Sequence, residues 1–166
     1  MGRILCLDMG DKRIGVAVSD AMRWIASPHS VYTRVGYGPD VKHMAGLMQA
    51  LEGALIVLGL PRNMDGTLGD SARKAQAFAE KLTEAGLPVA FWDARLSTVS
   101  AQRSLIEGGM RREQRRGTVD KVAAAVILQA YLDHMNRENN QLTHAASNAD
   151  VDNGGQHGQQ GQKGQA

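Results

Sequence analysis

The sequence predicts an α/β fold: a mixed five-stranded sheet with helices on both faces. Three observations lead there. Two apolar runs, RILCLDMG and IGVAVSD, are joined by a short Asp-Lys-Arg turn, the pattern of an antiparallel hairpin. A continuous apolar run, ALIVLGLP, is short enough to be a strand covered on both faces. After the first three strands the pattern alternates helix and strand, which calls for parallel crossovers beside the hairpin.

Each element has its own signal. A third strand is predicted around SPHSVYTR. PDVKHMAGLMQALEG then carries Val41, Met44, Met48 and Leu51 at helical spacing. The ALIVLGLP strand follows, and the loop PRNMDGTLGD leads into a helix. Its inner face reads Ala72, Ala75, Phe78, Ala79 and Leu82, with Gly86 as its C′ stop. PVAFW reads as the fifth strand, TVSAQRSLIEG as a helix, and the arginines that follow as a basic loop. A last helix is expected from Val119 to His134, with Thr118 as N-cap. The run Ala123-Ala124-Ala125 predicts close packing of this helix on the sheet, which would bring Asp120 near the strand ends.

Bulk properties narrow the class. A chain of 166 residues, 43% hydrophobic and 22% charged, has the length and make-up of one ordinary water-soluble domain. A formal charge of +2 does not by itself argue for nucleic acid, so the placement of charges matters more. The single cysteine, Cys6, excludes an internal disulfide framework and points to a reducing, cytoplasmic setting; its apolar strand makes it a packing residue. No secretory pattern or membrane-length apolar run is present, so no membrane partner is expected. From residue 138 almost nothing apolar remains. The expected organisation is a folded domain over 1–137 and a disordered, Gln/Gly-rich polar tail over 138–166.

In such sheets ligands gather at the carboxyl ends of strands, which singles out Asp8, the 59–63 loop and residues 93–98. A carboxylate at the inner end of a central strand needs a cation or several hydrogen bonds, though Asp8 would also serve as a turn cap. Gly10 and Gly15 either admit a close backbone neighbour or simply make the turn. Asp120, in the first helical turn, is favoured there by the helix dipole whether or not it has a further role. Arg111, Arg112, Arg115 and Arg116 read as a solvated loop or, beside carboxylates, as a cradle for a polyanion. Lys12, Arg13, Arg62, Asn63 and Arg95 add donors at the same end, with Ser97, Thr98 and Lys121 beside them. Few aromatics are present, so backbone and shape contacts are favoured over stacking on bases.

LDMGDKRIGVAVSD, IVLGLPRNMDGT, WDARLSTVSAQRSLIEGG and GTVDKVAAAVILQAYL together resemble the YqgF/RuvX family, in the right order over about residues 3–135. The resemblance implies an RNase H-like fold and a hydrolase: a nuclease of pre-16S rRNA 5′-end maturation in ribosome biogenesis. Structured RNA would be its partner. It implies Mg²⁺ or Mn²⁺ held by Asp8, Asp93 and Asp120 as catalytic and metal-binding residues. Such proteins are also described as Holliday-junction resolvases, which makes branched DNA the alternative substrate. In the motif usually written D-E-R-L-S-T, this chain reads Asp93-Ala94-Arg95-Leu96-Ser97-Thr98, so alanine stands where glutamate is expected. Asp11 likewise stands where threonine is usual. Asp93 replaces the glutamate only if its strand has ended or bulges there, because successive strand residues face opposite ways. A third reading follows from Ala94: a homologue that binds RNA with impaired cleavage. Nucleotide binding of the actin type, suggested by Asp-x-Gly after a first strand, would require a second domain. Monomer and homodimer both remain open.

Overall fold

The computed structural model describes residues 2–61, 65–96 and 112–152. Strands β1 (Arg3–Met9), β2 (Arg13–Ser19) and β3 (Ala26–Thr33) come first, followed by helix α1 (Tyr37–Ala50), β4 (Gly53–Leu60), helix α2 (Asp70–Glu84) and β5 (Val89–Asp93). A 3₁₀ turn (Ala94–Leu96) closes β5, and a long helix, α3, spans Arg112–Asp152. The strands form one five-stranded sheet ordered β3-β2-β1-β4-β5. β1 pairs antiparallel with β2 and parallel with β4, so the expected mixed sheet is present with β1 at its centre.

Alternation along the strands sorts side chains between two faces. Leu5, Leu7, Ile14, Val16, Ile56 and Leu58 face one way and pack with Met44, Met48, Phe78 and Leu82 of α1 and α2. Burying each large apolar side chain contributes about 1.5–3 kcal/mol, so this layer holds the two helices to the sheet. The opposite face carries the intervening residues, Ile4, Cys6 and Val57, and receives α3 through Ala123, Ala124, Ile127, Leu128 and Leu132, all buried. Trp92 meets Tyr131 edge-on at 5.8 Å, and Gln129 accepts from the Ala26 N–H and donates to the Trp24 carbonyl. The tight approach expected from the alanine run is therefore real.

Local signals explain the helix ends. The Gly86 N–H donates to the Thr83 carbonyl and the Leu87 N–H to the Leu82 carbonyl, with Gly86 at φ 84°. This paired C-terminal motif needs a left-handed residue, and glycine adopts it without a Cβ penalty. Pro28 sits in β3, an edge strand, beside a register shift opposite Val16/Ala17, where a missing N–H donor costs least.

Two expectations about the C-terminal third are corrected. The last helix starts at Arg112, not Val119, so Thr118 is not its N-cap and residues 112–116 are helical rather than a loop. Arg, Glu and Gln are good helix formers, and their charge had masked that propensity. The helix also continues to Asp152, so residues 138–152 are not a disordered tail. Glutamine, leucine and alanine support helix there without any core, and residues 139–146 are exposed all round. The chain divides into two compact units at Asp133/His134. In the second unit His134 lies 3.2 Å from Glu138, and the Thr143 hydroxyl donates to the Asn139 carbonyl. The expected helix over TVSAQRSLIEG lies outside the described residues. No helix among the described residues is long and apolar enough to cross a membrane.

Candidate active site

The parallel strands β1, β4 and β5 deliver Asp8, Leu60 and Asp93 to one end of the sheet, and the antiparallel β2 begins there with Arg13. Asp8 is half-buried and stands opposite Gly15 in the β1–β2 register. Opposed residues of a ladder share a face, so Asp8 projects on the side covered by α3. Gly15 is where that helix touches the sheet. A Cβ at Gly15 would stand 2.1 Å from the Asp120 carbonyl oxygen and 2.9 Å from the Lys121 nitrogen. The helix therefore lays the Asp120 backbone onto the residue paired with Asp8, on the sheet face toward which Asp8 projects.

The Arg13 Nε donates to Asp120 Oδ2 at 3.2 Å, with the two side chains 32% and 26% exposed. Arg13 is the first residue of β2, so its backbone is fixed by the ladder to Thr33. Cys6, two residues before Asp8 on the same face, has its thiol pushed well above the ordinary value, first by burial and then by the Asp8 charge. It is a packing residue, as expected, and no nucleophile.

Asp93 is placed differently. It pairs in register with Leu60, whose side chain packs on Ala72 and Ala75 of α2, whereas the preceding Trp92 faces Tyr131 of α3. Asp93 thus points to the α2 side, away from Asp8 and Asp120. Its carboxylate is gripped by Arg95: Nε lies 3.1 Å from both oxygens, Nη2 2.7 Å from Oδ2, and the Arg95 backbone N–H donates to Oδ1 at 3.0 Å. The strand does end at Asp93, but the freed carboxylate caps the 3₁₀ turn instead of joining the other acids. Among the described residues no three His, Cys, Asp or Glu side chains are placed to share a metal ion. Asp11, the other unusual acid, is held at 2.8 Å by the Lys74 ammonium of α2, which also keeps its carboxyl below the ordinary value.

Of the expected nucleic-acid contacts, Lys12 is exposed at the tip of the β1–β2 turn, and Lys121 is half-buried beside Asp120. Arg112, Arg115 and Arg116 fall in the first turns of α3, with Arg116 one helical turn before Asp120. Arg62, Asn63, Ser97, Thr98 and Arg111 lie outside the described residues.

Sequence reasoning missed Asp40. Fully buried, it accepts from Arg34 Nε at 3.2 Å and from the Val35 and Gly36 N–H groups at 2.9 and 3.3 Å. Burial works to raise its pKa, but these donors outweigh it and the carboxyl sits below its ordinary value. The Arg34 N–H in turn donates to the Lys12 carbonyl at 2.9 Å, so this acid steadies the turn that carries Lys12 and leads into Arg13. Its signal was available: an acid in a first helical turn, a few residues after an arginine.

What the arrangement can do follows from its donors. Two carboxylates on one face make a hard oxygen site, and Mg²⁺ is commonly held by one or two carboxylates with water and phosphate oxygens completing the shell. Asp8 and Asp120 are carboxylates of the kind that would hold such an ion. The three-acid set expected from sequence is not assembled.

Comparison with known proteins agrees with this architecture. A family model described as "RuvX: Holliday junction resolvase" matches residues 2–134. A protein of Syntrophomonas wolfei named "Putative pre-16S rRNA nuclease" is 50% identical over 132 residues, 79% of this chain and 94% of that one. A Clostridioides difficile protein of the same name is 47% identical over 133 residues, 80% and 94% of the two chains. Among solved structures, T. thermophilus RuvC in complex with Holliday junction substrate aligns with TM-score 0.50 at 13% identity, covering 80% of this chain and 94% of that one. At that identity the likeness concerns the fold alone, which is RNase H-like.

Proposed function

This chain belongs to the RuvX family, and from that membership we propose that it is a metal-dependent endonuclease of pre-16S rRNA 5′-end maturation in the cytoplasm. The observation that supports the proposal is the contact between Gly15 and the α3 backbone, which lays the Asp120 backbone on the residue paired with Asp8. Asp8 and Asp120 would hold Mg²⁺ or Mn²⁺. When bound, the ion supplies an acidified water and offsets charge on the leaving oxygen. The chain's own part is to position the strand. Lys12 and Arg13 would offer cationic donors to phosphate oxygens. Hydrolysis breaks one P–O bond and leaves a phosphate and a hydroxyl terminus.

The family description supports a second substrate, branched DNA, on the same acids. Ala94 supports a third reading, binding with impaired cleavage, since Asp93 turns toward α2 and supplies no replacement carboxylate. A single assay orders these readings. Purified wild type and Asp8→Asn are incubated with Mg²⁺ and either a pre-16S precursor fragment or a four-way DNA junction. Cleavage of the precursor alone, abolished in the variant, is the expected result. Cleavage of the junction alone selects the second reading, and binding without cleavage selects the third. Undiminished cleavage by Asp8→Asn would sink the assignment of the site.

A further inference from the structure

We propose that Arg13 is an exchangeable counter-ion: it occupies Asp120 while the cation site is empty and moves to a substrate phosphate when the cation binds. The inference rests on the nuclease reading and adds a coupling that this reading does not contain. Three observations carry it.

The first is how loosely Arg13 holds its partner. Asp93 is gripped by two guanidinium nitrogens and a backbone N–H of Arg95. Arg13 touches Asp120 through Nε alone, at 3.2 Å, with both side chains about a third exposed. One edge of a guanidinium on a part-exposed carboxylate changes an equilibrium by about five-fold at most, so the contact is easily given up.

The second is its location. The contact involves the side chain of the residue whose backbone carbonyl rests on Gly15, and Gly15 is the β2 residue paired with Asp8. A cation that approaches Asp120 competes with Arg13 for Oδ2.

The third is that Arg13 is tethered. Its backbone is locked in the ladder to Thr33, and the preceding turn is steadied through the Lys12 carbonyl. A displaced guanidinium therefore stays within a side chain's length of the acids, where a bound phosphate must lie, and its fork suits phosphate oxygens.

Competition at Asp120 and recruitment at phosphate make the two ligands cooperative. A strand that draws Arg13 away from Asp120 strengthens cation binding. Linkage requires the cation to strengthen strand binding by the same factor.

The test measures Mn²⁺ uptake by the full-length protein, using the electron paramagnetic resonance signal of free Mn²⁺ at fixed ionic strength. Wild type, Arg13→Gln and Asp120→Asn are titrated alone and with a short RNA hairpin checked by gel to stay intact. Arg13→Gln is expected to bind Mn²⁺ about three- to five-fold more tightly than wild type without RNA. Its gain in Mn²⁺ affinity on adding RNA should be smaller than the wild type's. A purely structural arginine would produce neither change. Should Arg13→Gln lower the melting temperature, Arg13→Met provides the same readout with an apolar stem. Wild-type uptake that a folded variant fails to exceed overturns the exchange and leaves the metal site standing. Wild type and Asp120→Asn titrating alike, with no uptake by either, overturns the metal reading and the exchange with it.

Discussion

Gly15 lies directly under the backbone of Asp120, so close that a methyl group there would stand 2.1 Å from the Asp120 carbonyl oxygen. Asp8 faces Gly15 across the β1–β2 ladder, so this one contact places the Asp120 backbone on the residue paired with Asp8.

Gly15→Ala should therefore damage both stability and activity. The obstacle is backbone, not a flexible side-chain end, so α3 must lift. Overpacking of this kind costs about 1–3 kcal/mol. Gly46→Ala is the control, since its Cβ would meet nothing within 4 Å and it lies inside α1. It should stabilise by about 0.5–1 kcal/mol. Urea unfolding followed by circular dichroism measures both, and equal loss in the two variants would refute the close-contact account.

Asp8→Asn and Asp120→Asn should each reduce cleavage by at least about a hundredfold while leaving the fold intact, a typical loss when one polar group acting in the transition state is removed. Cleavage rates and melting curves measured together separate chemistry from folding. Asp93→Asn should instead act mainly on the 3₁₀ turn through Arg95, with a smaller effect on rate than either of the others.

Ala94→Glu should raise cleavage and tighten Mn²⁺ binding. It adds a carboxylate at the position where the family resemblance expects one, next to the end of β5. A divalent ion gains affinity with each charged oxygen ligand. Mn²⁺ titration and initial rates with the precursor RNA are the measurements. No change in either would mean that position 94 does not reach the site.

Asp40 should give folding stability a distinct acid limb. Its carboxyl is depressed in the folded state, so its contribution is complete above the unfolded value of about 3.9 and is lost as pH falls through the lower folded value. Asp40→Asn removes a charged acceptor from Arg34 and two backbone donors. It should cost about 1–3 kcal/mol at neutral pH. The difference from wild type should shrink below pH 4. Urea midpoints at pH 7, 5 and 3.5 measure it, and a difference independent of pH would exclude the charge as its source.

Much of the scaffold was legible because local chemistry and the sheet agree. Met44 and Met48 sit inside at helical spacing, and Gly86 ends α2 in the left-handed conformation its position suggested. Legibility failed where charge and conformation are independent. The arginines at 112–116 looked like a loop, yet their stems favour helix as readily as an apolar stretch does. The polar residues after 138 likewise had no core to join, and helix propensity by itself extends α3 to Asp152.

The sequence by itself determined the order of the described strands and helices, the family and the identities of the acids, because those rest on periodicity and on motifs contiguous in the chain. Only the tertiary structure decided which face of the sheet each acid takes. The Asp120 backbone reaches the residue paired with Asp8 because a glycine lets a helix rest on β2, a contact across more than a hundred residues. Asp93 is sent toward α2 by the parity of β5, although it stands next to the position where the missing glutamate belongs. Both outcomes depend on which face of the sheet each element covers, and that is settled by packing between segments far apart in the chain.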